Sequence, residues 1–221
     1  MFFPIRTIEC PPYLCEIPDP PEQLYVRGKL PPSDTTYLAV VGSRKYTEYG
    51  RRVVETLIQD LRGHNICIVS GLALGIDALA HEAALQNNLH TIAVPGSGLD
   101  DSVLYPKTNR RLAERILESG GALLSEFEPT FKATRWSFPR RNRIMAGLSH
   151  AVLIIEAEEK SGTLITARMA ADYNRDVLVV PGDIFSKNSH GTHQFLKLGA
   201  TPVTCADDIL DALSFDRNTK T

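Results

Sequence analysis

Tyr37-Leu38-Ala39-Val40-Val41-Gly42-Ser43-Arg44 runs from near-continuous apolarity into a glycine-led polar turn. The apolar part is too short for a helix, and near-continuous apolarity suits a strand buried on both faces. The pattern recurs at Ile66–Val69, Thr91–Val94, Gly121–Leu124, Ala151–Ile155 and Val177–Val180, all rich in Val, Ile and Leu. Helical spacing fills the intervals, at about 48–62, 75–87, 108–119, 139–148 and 162–174. In the second of these Ile76, Leu79, Ala80, Ala83 and Ala84 share one face. Alternating strand and helix predicts an α/β fold: a doubly wound, mostly parallel sheet with right-handed crossovers and helices on both faces. A last helix at about 206–213 closes it.

Working outward, the 221 residues form one domain, 38–215, with a short appendage at each end. Residues 1–37 hold eight of the fourteen prolines: Pro4, Pro11, Pro12, Pro18, Pro20, Pro21, Pro31 and Pro32. Proline fixes φ and removes a donor, so this stretch is expected to contain neither regular helix nor central strand. It reads as an arm lying on the main domain, anchored by Tyr13, Leu14, Ile17, Leu24, Tyr25 and Val26. Residues 216–221 read as a loose tail. A composition of 43% hydrophobic and 23% charged residues excludes general disorder. No apolar run approaches the length of a membrane span, and no basic segment followed by a long apolar one opens the chain, so the expectation is a cytoplasmic protein without membrane contact. Cys10, Cys15, Cys67 and Cys205 have no paired spacing, which argues against a disulfide framework. Cys67 and Cys205 read as small core residues.

In doubly wound sheets ligands bind beyond the carboxyl ends of the strands. Gly42-Ser43-Arg44 follows the first strand, Ser70-Gly71 the second, and Gly96-Ser97-Gly98 the third. Ser125-Glu126 follows the fourth, Glu156 and then Ser161-Gly162-Thr163 the fifth, and Pro181-Gly182 the sixth. Glycines admit a ligand close to the backbone, and helix N-termini present free N–H groups to an anion. Arg44 suits bidentate phosphate contact, but a tight turn with a surface salt bridge is an equal reading of that loop. The hydroxyls of Ser161 and Thr163 can hold a phosphate or cap a helix, again evenly.

Several chemistries lack their residues. Gly96-Ser97-Gly98 has no third glycine at dinucleotide-binding spacing, and no Gly-Lys-Ser/Thr phosphate loop occurs. His190 and His193 have no nearby third ligand, so no metal and no cofactor are expected. Ser43, Ser70 and Ser161 lack an identifiable base, so no catalytic residue is assigned. Asp77 and His81 read as a helix-surface pair. Glu126 and Glu156 could serve as acid–base groups or hold loops through backbone N–H groups.

Arg135-Trp136-Ser137-Phe138-Pro139-Arg140-Arg141-Asn142-Arg143 is the strongest local signal. With Lys132 it places five cations and no acid between 132 and 143 on a chain of net charge −2. Cations interleaved with rings grip single-stranded nucleic acid, the cations tracking phosphates and the rings stacking on bases. The alternative is a solvated helix start with Phe138 tucked into the core. The missing acids and the place beyond a strand end favour a binding surface.

Together these loops resemble the DNA-processing protein A family, also called DprA or Smf. The resemblance is carried, in order, by Asp19-Pro20-Pro21-Glu22-Gln23-Leu24-Tyr25; Val41-Gly42-Ser43-Arg44 with Tyr49-Gly50; and Ser70-Gly71-Leu72-Ala73-Leu74-Gly75-Ile76-Asp77-Ala78. Gly98-Leu99-Asp100 with Tyr105-Pro106, Phe138-Pro139-Arg140-Arg141-Asn142-Arg143-Ile144, Ser161-Gly162-Thr163-Leu164-Ile165-Thr166-Ala167 and Pro181-Gly182 continue it, over about residues 13–213. It implies an extended Rossmann-like domain that binds single-stranded DNA without catalysis, dimerises, and loads the RecA recombinase during natural transformation. Carried over by motif, the DNA-binding residues are Gly42, Ser43, Arg44, Ser70, Gly71, Arg135, Phe138, Arg140, Arg141, Asn142, Arg143, Ser161, Gly162 and Thr163. Arg44 would take a phosphate, Phe138 would stack on a base, and Arg135 with Arg141 and Arg143 would form an electropositive wall. Residues of about 191–205 would form the homodimer face.

Against the family, the expectation is a short form with neither the helical N-terminal domain nor the winged-helix C-terminal domain of many relatives. The chain also has two extra residues before Tyr105-Pro106, and His193 where relatives often have Asn. The fold and the Gly162-Thr163 helix start also resemble nucleoside-monophosphate phosphoribohydrolases. Those need a glutamate soon after Gly-Thr, and here Leu164, Ile165 and Thr166 follow. A third reading, a mononucleotide-sensing module, would not need the aromatic–arginine stripe.

Overall fold

The computed structural model describes residues 3–215. The proline-rich stretch holds two short strands, β1 (Ile5–Ile8) and β2 (Leu24–Gly28), and one helical turn, α1 (Pro12–Cys15). This corrects the expectation of an arm without strands. None of the eight prolines falls within either strand, and β2 is an interior strand, paired antiparallel with β1 on one side and with β6 (Ala122–Ser125) on the other.

The six expected strands are present. Five of them are β3 (Thr36–Val41), β4 (Ile66–Ser70), β5 (His90–Ala93), β6 and β7 (Ala151–Ile154); β8 (Asp176–Val179) is the sixth. Among them lie α2 (Glu48–Asp60), α3 (Ile76–Gln86), α4 (Arg110–Glu118), α5 (Ser137–Leu148) and α6 (Thr163–Asp172). Then come α7 (His190–Lys197), a two-residue strand β9 (Thr201–Pro202) and α8 (Ala206–Ala212). The sheet order among the described residues is β1-β2-β6-β5-β4-β3-β7-β8-β9, parallel from β6 to β9.

Alternation within β3 explains its unbroken apolarity. Ala39 and Val41 pack with Ile144, Leu148 and Leu164 of α5 and α6. Leu38 and Val40 pack with Val54, Ile58, Ile76 and Ile209 of α2, α3 and α8. The arm joins the first layer: Leu14 and Ile17 are buried against α5, where a Cβ on Gly147 would lie 2.7 Å from Leu14 Cδ1. Each such side chain contributes about 1.5–3 kcal/mol by leaving water. Tyr13 is clamped between His150, stacked at 4.6 Å, and the Arg175 guanidinium, 3.4 Å from its ring centroid.

Two smaller expectations change. Cys67 is buried, but Cys205 is exposed at the start of α8. Asp77 and His81 are both buried rather than on a helix surface, because that face of α3 turns inward, Asp77 onto Gly71 N–H after β4 and His81 onto Thr91 of β5. The expected tail at 216–221 lies outside the described residues. No described helix is long and apolar enough to cross a membrane.

Candidate functional site

From β3 the chain moves through β4 and β5 to β6, then returns to β7 on the other side of β3. The loops leaving β3 and β7 therefore diverge, which opens the crevice where such sheets bind ligands. A cavity of about 440 Å³ lies there. Its walls are Gly42–Lys45 after β3, Ala73 and Asp77 beyond β4, Phe138, Pro139, Arg141 and Asn142 of α5, and Glu158 with Ser161–Thr163 leading into α6.

The loop after β3 is held in place from three sides. Ile76 N–H donates to Ser43 O at 3.1 Å, Lys45 N–H to Ser43 Oγ at 3.0 Å, and the Thr163 hydroxyl to Gly42 O at 3.1 Å. Ser161 Oγ accepts from Thr163 N–H at 3.2 Å and donates to Thr163 Oγ1 at 3.0 Å. The two hydroxyls thus organise the start of α6 while lining the cavity.

Arg44 makes no ion pair among the described residues, and its guanidinium lies 5.7 Å from the Phe138 ring centroid. That ring rests against Gly96, where a Cβ would come within 2.6 Å of it, and beside Tyr105, with centroids 5.7 Å apart. Arg141 is only 5% exposed and forms the floor. Its Nη1 donates to the carbonyls of Gly71 and Val94, and its Nε to Asn142 Oδ1 at 3.0 Å. Burial pulls its guanidinium down to about 10, so it stays cationic at neutral pH. Asp77 accepts from Gly71 N–H at 3.1 Å; burial raises its carboxyl, and nearby Arg141 works against that. Asp77 and Glu158 are the acids of the cavity wall.

The cavity brings together nine of the expected residues: Gly42, Ser43, Arg44, Phe138, Arg141, Asn142, Ser161, Gly162 and Thr163. Ser70 and Gly71 lie beneath it. Ser70 is fully buried with its hydroxyl on Val40 O, and Gly71 is wedged between Asp77 and Arg141. Arg135 is exposed outside the cavity. The electropositive wall of Arg135, Arg141 and Arg143 does not assemble as expected. Arg143 points inward, its side chain 4% exposed, with Nη2 on Glu126 and Nη1 on the carbonyl of Asp19. Arg140 pairs with the same Glu126 at 2.9 Å. Counting acids within 132–143 missed Glu126 and Asp19 because they arrive from other segments. Glu156 accepts from Thr47 N–H at 2.9 Å and from the Thr47 hydroxyl, so it holds a loop. Lys45, which adjoins Gly42-Ser43-Arg44, and Ile165, within the Ser161–Ala167 motif, also line the cavity.

Residues 2–214 match the family model described as DNA recombination-mediator protein A. The chain belongs to that family. It is 45% identical over 205 residues to Protein Smf of Escherichia coli (strain K12), a match covering 93% of this chain and 54% of that protein. It therefore spans about half the length of that relative. It is 44% identical over 216 residues to DNA processing protein DprA of Streptococcus pneumoniae, covering 96% of this chain and 75% of that one. The solved DprA of Streptococcus pneumoniae superposes with TM-score 0.85 at 42% identity, over 97% of this chain and 75% of that one. DNA processing protein A of Helicobacter pylori gives TM-score 0.86 at 33% identity over 96% of both chains, and is described with a single-stranded DNA binding mode. A molybdenum cofactor binding protein of Rippkaea orientalis, at 13% identity and TM-score 0.58, shares the fold alone. The DNA recombination-mediator fold thus accounts for β1 and β2 as well as for the parallel core, since these matches span nearly the whole chain.

Proposed function

We propose that this chain binds single-stranded DNA in the cavity and acts as a recombination mediator in natural transformation, protecting incoming strands and loading RecA. Its activity is binding, not catalysis. The observation that carries this is Arg44, a cation with no ion pair among the described residues, set over Phe138 in a cavity that also holds a buried second cation, Arg141. A guanidinium for phosphate beside a ring for a base is the pairing that single strands require. The start of α6 adds the Ser161 and Thr163 hydroxyls to the facing wall. The Helicobacter pylori relative, described with a single-stranded DNA binding mode, supports the same ligand class. RecA loading rests on the family resemblance. A cytoplasmic homodimer completes the proposal; Ile184, Phe185 and Leu198, around α7, are exposed and offer apolar surface to a second copy.

The test is fluorescence anisotropy of labelled oligo-dT and of a matched duplex at two salt concentrations. The expected result is preference for the single strand, tolerance of sequence, and weakening as salt rises. Absence of oligo-dT binding at low salt would sink the proposal, and nucleoside monophosphates would then be tested for binding and hydrolysis.

A further inference from the structure

Trp136 is the single tryptophan of the chain and lies 55% exposed at the start of α5. It is not loose. Its ring stands edge-on to Phe127 and Phe131, with centroids 5.6 and 5.5 Å away, and those two rings stack on each other at 4.6 Å. The bed beneath is itself fixed. Phe127 is buried with its N–H on Ser125 Oγ at 3.0 Å, and the Phe131 carbonyl accepts from Gly98 N–H at 2.9 Å. The next residue, Ser137, is fully buried with its hydroxyl on Gly96 O at 2.6 Å. A large flat ring is therefore held rigid with over half its surface in water, so stacking on it costs little side-chain freedom. Lys132 and Arg135 of the same loop are exposed and make no ion pair among the described residues. An apolar partner would satisfy the indole and strand the cations, whereas a base carried on a phosphate backbone satisfies both.

We propose that Trp136, seated on Phe127 and Phe131, is a second base-stacking platform outside the cavity, and that with Lys132 and Arg135 it extends the single-stranded DNA track past Phe138. It rests on the single-stranded DNA reading of the cavity. The Phe138 ring touches Gly96, whose carbonyl holds Ser137, so the two platforms are anchored to one loop on either side of a buried serine.

Since Trp136 is the chain's single tryptophan, emission excited at the red edge, where the seven tyrosines do not absorb, reports on it alone. The experiment titrates the full chain with oligo-dT and with an abasic oligomer of equal length, following emission. In parallel, anisotropy measures oligo-dT binding by wild type, Trp136→Leu and Trp136→Phe. Oligo-dT is expected to quench the emission and the abasic strand to leave it nearly unchanged. Trp136→Leu is expected to weaken oligo-dT binding by roughly five- to a hundredfold, and Trp136→Phe by less. Should Trp136→Leu unfold, the emission titration and the Phe variant carry the test alone. Equal quenching by the abasic strand would overturn stacking, as would wild-type affinity in a folded Leu variant. If wild type binds oligo-dT with its emission unchanged, this proposal falls and the cavity reading stands. If wild type does not bind oligo-dT at all, both fall.

Discussion

The Arg44 guanidinium lies 5.7 Å from the centroid of the Phe138 ring, although one residue follows β3 and the other opens α5. Their different chemistry separates their expected effects. Arg44→Ala removes one phosphate contact, so oligo-dT affinity should fall and the log–log salt slope should shrink by about 0.7. Phe138→Ala removes a stack, so affinity should fall by about 1–3 kcal/mol with the salt slope unchanged. Anisotropy across a salt series checks both. Identical slopes for wild type and Arg44→Ala would mean that this guanidinium meets no phosphate.

Arg143 and Arg135 should separate in the opposite sense. Arg143 and Glu126 form a nearly dry pair that Arg140 joins from the surface, and removing one partner of a buried pair typically costs about 3–5 kcal/mol. Because Arg140 still faces Glu126, Arg143→Ala should fall at about 3 kcal/mol, seen as a lower melting temperature. Arg135→Ala, at an exposed residue with no ion pair among the described residues, should leave melting unchanged and reduce the salt dependence of binding. A normal melting temperature for Arg143→Ala would contradict the structural role.

The parallel core was legible because each strand carries its own apolar signature on both faces, as β3 does between two helical layers. β2 was not, because prolines crowd the sequence around Leu24–Gly28 while its pairing to β6 joins residues about a hundred positions apart. For the same reason the cavity residues of the Gly42–Arg44 loop could be read and the fates of Arg141 and Arg143 could not. A guanidinium's partner is set by three-dimensional neighbours such as Gly71 O and Glu126, which no local window contains. α7, eight residues holding two histidines and a glycine, and β9, with two residues, are too short to carry a visible pattern.

His81 makes stability depend on acid pH. The Thr91 hydroxyl donates to Ile68 O at 2.8 Å, so His81 Nδ1–H must donate to Thr91 Oγ1, at 2.7 Å, and Nε2 has no hydrogen-bond partner among the described residues. Burial holds the imidazole down to about 3, opposed by the Ser70 backbone and aided by nearby Arg141. A folded value below the unfolded one of about 6.5 means that the unfolded chain takes up the proton first. This contribution is full above about pH 6.5 and is lost as pH falls towards 3, by at most about 1.4 kcal/mol per unit. Urea unfolding between about pH 7.5 and 5 should show that loss, and His81→Gln should flatten it. An equal slope in the variant would assign the dependence to other groups.

Gly75 positions Arg44 without touching any ligand. Its φ is +86°, and a Cβ there would lie 2.3 Å from Ser43 O and 2.6 Å from Arg44 Cα, both backbone atoms. Gly75→Ala must therefore push the 43–44 backbone aside, weakening the Ile76 N–H bond to Ser43 O and drawing Arg44 away from Phe138. Positive φ alone costs an alanine about 1–2 kcal/mol, and Gly63 isolates that part, since its φ is +88° with nothing within 4 Å of its Cβ. Both variants should melt lower, Gly75→Ala further, and only Gly75→Ala should lose oligo-dT affinity. Were Gly75→Ala to bind like wild type, the loop would tolerate displacement and the placement of Arg44 over Phe138 would not govern binding. Were Gly63→Ala to lose affinity as well, the loss would follow general destabilisation rather than the geometry of the loop.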